Sequence, residues 1–589
     1  MKIIKKILYE PLLYLLLLLI AAYLAIMISS HIEILDAKIT RNGITESIIL
    51  PYATDMARDE VFFVSFNLSV KSNKSVKLNI IPDDCLQELL INGEKFPLDK
   101  IKGLCDYTRG AYFDFSKYVQ EGLNHFEFRI INTDGSGGMR VEMPYNGLKQ
   151  FSFLHYIFVL LFLFSTVLIL RKFKFKLIAI LIILLGITIR LIVYTYMSPL
   201  SSPYDVREHL EYIQIVAEEN RLPSRQECWE CHQPPLYYIA FAGIKNVTDR
   251  YDPTLTNRIL QQGHLLLSFA SIVFGVAFLI NLFGNNRGAY LAALIAVFWT
   301  GFVVAAPRIN NDTLFYFGTL FCMLFAQRYW HWHKSSDILL ASIGASIALA
   351  AKSTGFVILG IWVIIYILAA IRSLKLGSLR VLFASVFIVA FFTGFSNYRT
   401  VIDVFQGNKT GLIKPVFGLN EAMKIENSLG SFVYFDLQDY LLLPYTSAWN
   451  DEGGRQYFWN YVIKSSLYLY KEIKLYDSPI GSFFATMLCI FTLFIFILAL
   501  WGIIHLKIRD IPAMLFTVFL FVALVYHRII HPYACNMEFR YIFPVLFPLS
   551  YFSVRGVQIL QDSRLRKFGI IILSSFTILS FLFIVGQAL

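Results

Sequence analysis

The feature that most constrains this chain is the regular return of apolar runs of about 20 residues, each closed by a short basic cluster. A run of that length crosses the hydrocarbon core of a bilayer as a helix, because a helix satisfies every backbone N–H and C=O internally. Runs at 11–29, 151–170, 177–197, 259–283, 288–306, 312–330, 338–351, 355–371, 381–397, 482–505, 511–528, 541–557 and 568–588 make about thirteen expected transmembrane helices. The basic clusters Lys2–Lys6, Arg171–Lys176, Arg287, Arg328–Lys334, Arg372–Arg380, Lys507–Arg509 and Arg564–Lys567 then all fall on one side. By the positive-inside rule that side is the cytoplasm, which puts the N-terminus inside and the C-terminus outside. The 338–351 run is short, and 338–371 reads alternatively as a shallow hairpin. The first run resembles a signal peptide, but without a clear small-residue cleavage site it reads as a retained anchor.

Composition agrees: 57% of the 589 residues are hydrophobic and only 16% charged, which excludes a soluble domain of this size. The net charge of +11 is a topological signal, because its basic residues lie in short clusters between apolar runs and not in a nucleic-acid-binding stripe. Richness in Lys, Ile and Phe suggests an AT-rich prokaryotic genome, and so a plasma or inner membrane. The expected organisation is a cytoplasmic tail and anchor over 1–30, an external domain over 31–150, and one membrane unit over 151–589. That unit carries external loops at 198–258 and 398–481.

The 31–150 segment reads as strand at Val61–Val70, Val76–Ile81, Glu88–Ile91 and His125–Ile131, with period-2 alternation in places. Turns are expected at Asn92-Gly93 and over Asp134–Gly138. The fold class is therefore a polytopic α-helical membrane protein with an N-terminal extracytoplasmic β-sandwich. At Leu90-Ile-Asn-Gly-Glu94, Phe113-Asp-Phe-Ser116 and Glu121-Gly-Leu-Asn-His125 this segment resembles the galactose-binding-like jelly rolls. That resemblance implies carbohydrate or acceptor binding, against a plain structural lid.

Chemistry concentrates in the 198–258 loop, which holds Asp205, Arg207, Glu208 and His209, and later Glu230-Cys-His232-Gln-Pro234-Pro235-Leu-Tyr-Tyr238. If 205–219 is helical, Asp205, Glu208, His209 and Tyr212 share one face. Arg308-Ile-Asn310-Asn311-Asp312 follows at the end of a run, then Ala351-Lys352-Ser-Thr-Gly355 and Glu538-Phe-Arg540-Tyr-Ile-Phe-Pro544. In their order and common side, these motifs resemble the type C glycosyltransferase superfamily, which includes protein O-mannosyltransferases and aminoarabinose transferases. The departure is at the first loop, where Val206 follows Asp205 in place of a second acidic residue.

The resemblance implies transfer of a sugar from a polyprenyl-phosphate donor to an external lipid, glycan or protein acceptor. Asp205 is the first candidate for the base that takes the hydroxyl proton, and Glu208 the second. Arg308, Lys352 and Arg540 are candidates to meet the lipid phosphate, and His209, His232, Asn311, Asp312 and Glu538 to complete the substrate site. Each has a structural alternative. Asp205 serves equally as a helix cap, the Asn310–Asp312 group as another cap, and the cations as partners of Asp312 or Glu538. A bound divalent cation is left open, and no metal ligand is assigned.

Cys85 with Cys105, and Cys228 with Cys231, suit disulfides in an oxidising exterior. Alternatives are a zinc site of Cys228, Cys231 and His232, or a pairing through Cys535. Lys464 and Lys471 in the 398–481 loop are further possible phosphate contacts, and its Trp and Tyr residues suit sugar stacking or an interfacial belt. Competing functions are a transporter or flippase of lipid-linked glycans, a polysaccharide polymerase or ligase, and a non-catalytic scaffold for envelope assembly.

Overall fold

The computed structural model describes the chain from Ile32 to Ala588, except 49, 51, 71–75, 107–109, 134–135, 143–152, 198, 200–204, 251–252, 374–378, 400–420, 450, 452 and 469–478. The expected span at 11–29 and Lys471 lie outside the described residues. Two compact units are present. One holds the described part of Met1–Ile169 with Tyr194–Arg207 and Phe241–Gln262; the other holds Leu170–Val193, Glu208–Ala240 and Gly263–Leu589.

The first unit begins with ten strands. β1 (Ile32–Arg41), β2 (Ile44–Ser47), β4 (Val61–Val70), β6 (Cys85–Ile91), β7 (Glu94–Lys95) and β9 (Gly122–Ile131) form one sheet in the order β2-β1-β4-β9-β6-β7. β3 (Tyr52–Asp55), β5 (Lys77–Pro82), β8 (Ala111–Asp114) and β10 (Ser136–Glu142) form a second, in the order β3-β10-β5-β8. All their pairings are antiparallel.

The period-2 pattern of β4 buries Phe62, Val64, Phe66, Leu68 and Val70. Its register sets Phe66 opposite Phe126 and Val64 opposite Phe128 on β9. Leu78, Ile80, Phe113 and Met139 of the second sheet join the same core, so the two sheets make a sandwich. Part of the turn expected over Asp134–Gly138 is instead strand, because β10 begins at Ser136. Gly137 is required there: a Cβ would run into Met56 and Phe62. The Cys85–Cys105 disulfide forms as expected.

The residues behind the jelly-roll resemblance hold turns together. Asn92 donates to Asn124 Oδ1 at 3.0 Å and accepts from the His125 amide at 2.8 Å. Asp114 accepts from both the amide and the hydroxyl of Ser116.

Among the described residues six helices are long and apolar enough to cross a membrane: Leu177–Tyr196, Leu255–Phe283, Pro479–Ile504, Ile508–Ile530, Ala534–Ile559 and Ser563–Gly586. Arg287–Val297, Ser335–Ala351, Gly355–Ile371 and Arg380–Ser396 are apolar but shorter. The chain is thus a membrane protein, and the thirteen expected crossings compare with these six helices among the described residues. Two departures matter for the site. The expected 288–306 run breaks at Phe298 and Trp299, between the helices Arg287–Val297 and Thr300–Val304. The 541–557 run opens as a 3₁₀ stretch, Phe539–Val545, before the helix Leu546–Ile559.

Candidate functional site

Local structure explains why distant charges meet in the second unit. The helices Asp312–Trp332 and Ser335–Ala351 are joined by His333 and Lys334, with His333 in the left-handed conformation (φ 50°) that ends the first helix. They pack closely through glycine: a Cβ on Gly318 would lie 2.6 Å from the Ala348 amide nitrogen, and one on Gly344 2.5 Å from that of Cys322. Folding back at this turn returns the chain to its starting level. The first residue of one helix, Asp312, therefore faces the residue after the other, Lys352. Asn311 locks the pair by donating to the Ala351 carbonyl at 3.0 Å.

Lys352 pairs with Asp312 Oδ1, and Arg540 Nη1 reaches Asp312 Oδ2 at 3.5 Å. Arg540 Nε donates to Glu538 Oε2 at 2.6 Å. Asp312 is 1% exposed, Lys352 7%, Glu538 0% and Arg540 5%. The ring of Tyr541 lies beneath both cations, 4.3 Å from Lys352 Nζ and 4.9 Å from Arg540 Cζ. Tyr316 donates to the Arg540 carbonyl at 2.6 Å, tying the 3₁₀ stretch to the Asp312 helix. Arg308 and Asn310 are buried on the approach to this helix.

The N-terminal end of the Asp312 helix and two adjacent cations all favour the carboxylate anion. Asp312 is thereby suited to be an electrostatic anchor and poorly suited to take up a proton. With Arg308, three cations stand against two carboxylates among these named groups.

A second group, built of aromatic and histidine side chains, lies within electrostatic reach of Asp312: His209, Tyr237, Tyr238 and His264. His209 Nδ1 and the Tyr238 hydroxyl are 2.9 Å apart, and the Tyr237 hydroxyl and His264 Nε2 3.0 Å. Tyr212 stacks on Tyr238 at 3.7 Å, and its hydroxyl accepts from Arg399 Nη2 at 2.8 Å. Arg399 also donates to the carbonyls of Pro223 at 3.0 Å and Gln233 at 3.2 Å, so one guanidinium binds both ends of the intervening loop. Burial raises the pKa of the Tyr212, Tyr237 and Tyr238 phenols well above their usual value near 10, so all three stay protonated.

The first loop differs from its expected form. The helix runs from Val206 to Glu219, and Asp205 precedes it at φ 46°. Asp205 is thus off the helix face it was expected to share with Glu208, His209 and Tyr212. Asp tolerates the left-handed region, which ends any continuation of the helix towards the N-terminus. His209 and Tyr212 do share a face, both packing on Tyr238. Glu208 is half-buried in the first turn, where the helix dipole favours a carboxylate.

Cys228 and Cys231 form a disulfide around the short 3₁₀ helix Trp229–His232, which consumes the thiols a zinc site would need. Cys535 is in neither disulfide. Among the described residues no group of three or more His, Cys, Asp or Glu is arranged to hold a metal ion. His232 is held by the Trp229 carbonyl at 2.9 Å and by Gln233 at 3.1 Å. Burial, joined by the charges of Arg399 and Lys352, lowers its pKa below the usual 6.5.

Lys464 is also placed otherwise than as a phosphate contact. It is buried in the helix Phe458–Leu467 and donates to the carbonyls of Asp439 at 2.9 Å and Gly453 at 2.7 Å.

The candidate residues Asp312, Lys352, Glu538 and Arg540 therefore form one cluster, with Asn311 as its fastening. His209 and His232 are coupled to it electrostatically. Sequence reasoning missed His264, Arg399, Tyr316 and Tyr541. His264 carried a usable signal, an imidazole inside an apolar run; the aromatic residues carried none in a chain with 33 Tyr.

No family model matches the chain, and neither does any curated protein. Two solved structures of the Archaeoglobus fulgidus oligosaccharyltransferase are similar to it, one in complex with Zn and sulfate and one in the apo form. The identities are 11% and 10%, with a TM-score of 0.38 for each. The matches cover 69% and 70% of this chain and 53% and 56% of the oligosaccharyltransferase chains. This chain spans about half the length of the solved chains it matches.

Proposed function

We propose that the protein is a membrane glycosyltransferase of type C character. It moves a sugar from a polyprenyl-phosphate donor to an acceptor hydroxyl on the extracytoplasmic side. The observation that carries this reading is the buried Asp312–Lys352–Arg540–Glu538 cluster, assembled from three separated segments beside a wall of tyrosine and histidine. Ions buried at such cost are seldom kept for stability alone.

In this reaction the acceptor oxygen attacks the anomeric carbon, the bond from that carbon to the phosphate oxygen breaks, and the lipid phosphate leaves with the electron pair. Lys352, Arg540 and Arg308 are the cations that meet the charge developing on the phosphate. Asp312 and Glu538 hold those cations in place in the resting state. The acceptor proton passes to a carboxylate of the first loop, Asp205, with Glu208 next in order. Asn311 acts through the helix ends it joins. His209 and His232 line the sugar or acceptor side with Tyr212, Tyr237 and Tyr238.

The test is transfer of labelled sugar from polyprenyl-phosphate donors by protein in lipid vesicles. Lys352→Met and Arg540→Met should abolish transfer, and Asp205→Asn should lower it by at least about 100-fold, the scale of a lost general base. EDTA distinguishes a cation-dependent from a cation-independent site. Normal transfer by Asp205→Asn moves the base to Glu208. Full transfer by both Lys352→Met and Arg540→Met would sink the reading.

A further inference from the structure

The 398–481 segment, expected to be an external loop, contains short helices that pack far along the membrane-spanning ones. Ile425 donates to the Pro532 carbonyl at 2.9 Å and Asn427 to that of Ile529 at 2.7 Å, which seats the chain at the Ile530 end of the Ile511–Ile530 helix. The helices Leu429–Val433 and Leu437–Leu442 follow. The Tyr440 hydroxyl donates to the carbonyl of Cys489 at 2.9 Å, and Thr486 Oγ1 donates to that of Leu441 at 3.3 Å. Cys489 lies ten residues into the helix that starts at Pro479, so at 1.5 Å per residue these contacts are about 10–15 Å from its end. The connector bearing Lys507 and Arg509 joins the helices Pro479–Ile504 and Ile511–Ile530, whose Phe496 and Phe521 rings lie 6.2 Å apart, each eight to ten residues from it, so Pro479 and Ile530 lie at the ends away from the connector.

At this depth the Leu437–Leu442 helix leaves leucine uncovered. Leu437 is 54% exposed, Leu442 70% and Leu443 45%. Ile480 and Phe483 are likewise exposed on the spanning helix that Tyr440 and Leu441 contact. Gln438 is the one exposed polar residue between 437 and 443.

The polar backbone is satisfied from within the protein, as hydrocarbon demands. Asp436 caps the Leu437–Leu442 helix, accepting from the Asp439 amide at 2.9 Å. Asn460 takes up the Asp436 amide and carbonyl at 3.0 and 2.7 Å, and Lys464 the Asp439 carbonyl.

We propose that residues 429–443 form a re-entrant element whose leucine face is immersed in bilayer hydrocarbon, in the leaflet opposite the Lys507–Arg509 connector. Its seat adjoins the ion cluster. Arg528 lies over Phe432 at 5.6 Å, the neighbouring His527 packs on Tyr541 at 5.9 Å, and Tyr541 underlies Lys352. The inference rests on the membrane location of the protein and is independent of glycosyl transfer.

The experiment is nitroxide labelling of Leu437→Cys and Leu442→Cys in a Cys535→Ser background, in phosphatidylcholine–phosphatidylglycerol vesicles. Collision rates are measured with oxygen and with a water-soluble nickel chelate. Leu123→Cys on the sandwich is the aqueous reference, and Val522→Cys within the Ile511–Ile530 helix is the lipid reference; the two residues are 60% and 57% exposed. Both test labels should match Val522 in high oxygen and low nickel access. The proposal is overturned if both match Leu123 while the Val522 label in the same protein preparation reports lipid. A disturbed fold at one position is recognised by disagreement between the two test labels. In that event a fluorescent label at Leu443→Cys, quenched by doxyl lipid and spared by iodide, decides the matter: quenching by iodide alone overturns the proposal.

Discussion

The β-sandwich and the helical unit handle charge in opposite ways. In the sandwich, ion pairs sit on the surface: Lys77 with Asp114 at 3.6 Å, and Lys95 with Glu88 at 2.7 Å. Its core is almost wholly apolar, with Phe62, Phe66, Phe113, Phe126 and Phe128 at the centre. The helical unit also has exposed local pairs, such as Arg221 with Glu219 and Lys424 with Glu421, but its pairs between distant segments are buried. Asp312 holds Lys352 and Arg540, while Asp510 holds Arg555 and accepts from Tyr551 at 2.6 Å. An exposed pair contributes little, whereas a buried one is costly to assemble and costlier to break. Charge in the sandwich therefore serves solubility, and charge among the helices serves geometry and chemistry.

The comparison is broken most directly at Asp312. Asp312→Ala leaves Lys352 and Arg540 buried without their carboxylate and should destabilise the protein by about 3–5 kcal/mol. Asp312→Asn with Lys352→Met should recover much of that loss without recovering transfer. Thermal unfolding in detergent, read beside the transfer assay, checks both. Arg540→Lys keeps the charge but loses the fork that reaches Asp312 and Glu538 together, at a cost of about 1.5–3 kcal/mol. If it unfolds like wild type, the cluster is held less by geometry than the distances suggest.

In the sandwich, Ile130→Val should cost about 1 kcal/mol by the same measurement, because one buried methylene is removed from a close-packed core. Lys95→Ala on the surface should leave the unfolding temperature unchanged within error.

His232 gives the smallest and most specific signal. Its pKa is lowered in the fold from 6.5, so below pH 6.5 the unfolded chain binds the proton more readily and stability falls with pH. Wild type should therefore lose more stability than His232→Gln between pH 7.5 and 5.5. Equal losses would show that burial of this imidazole carries no linkage.

How much of this was legible in the sequence differs by element. β4 was readable to the residue, since Val64–Val70 alternates apolar and polar side chains and the β-prone run Val61–Val64 precedes it. β10 was obscured by Gly137 and Gly138, which read as a turn until the approach of Met56 and Phe62 is known. Lys352 and Arg540 stood out because charge beside apolar runs is rare, and pairing with Asp312 or Glu538 was the structural alternative; the string did not show which cation meets which carboxylate. Lys464 stood out for the same reason and proved to be a backbone clamp. The His209–Tyr238 and Tyr237–His264 pairs were hidden because tyrosine abounds at membrane edges for ordinary reasons.

The sequence by itself determined that this chain lives in a membrane, that several stretches near its N-terminus are strand, and which few polar residues stand against the apolar background. Those are local properties, set by hydropathy and by the two- and 3.6-residue periods. Only the tertiary structure decided which charges neutralise one another and where the helices break. It also decided that a segment resembling an external loop packs deep along a spanning helix. The physical reason is that ion pairing and packing act between residues far apart in the chain. Asp312 meets Arg540 across 228 positions because glycine-lined helices fold back on each other and a 3₁₀ stretch replaces a regular helix.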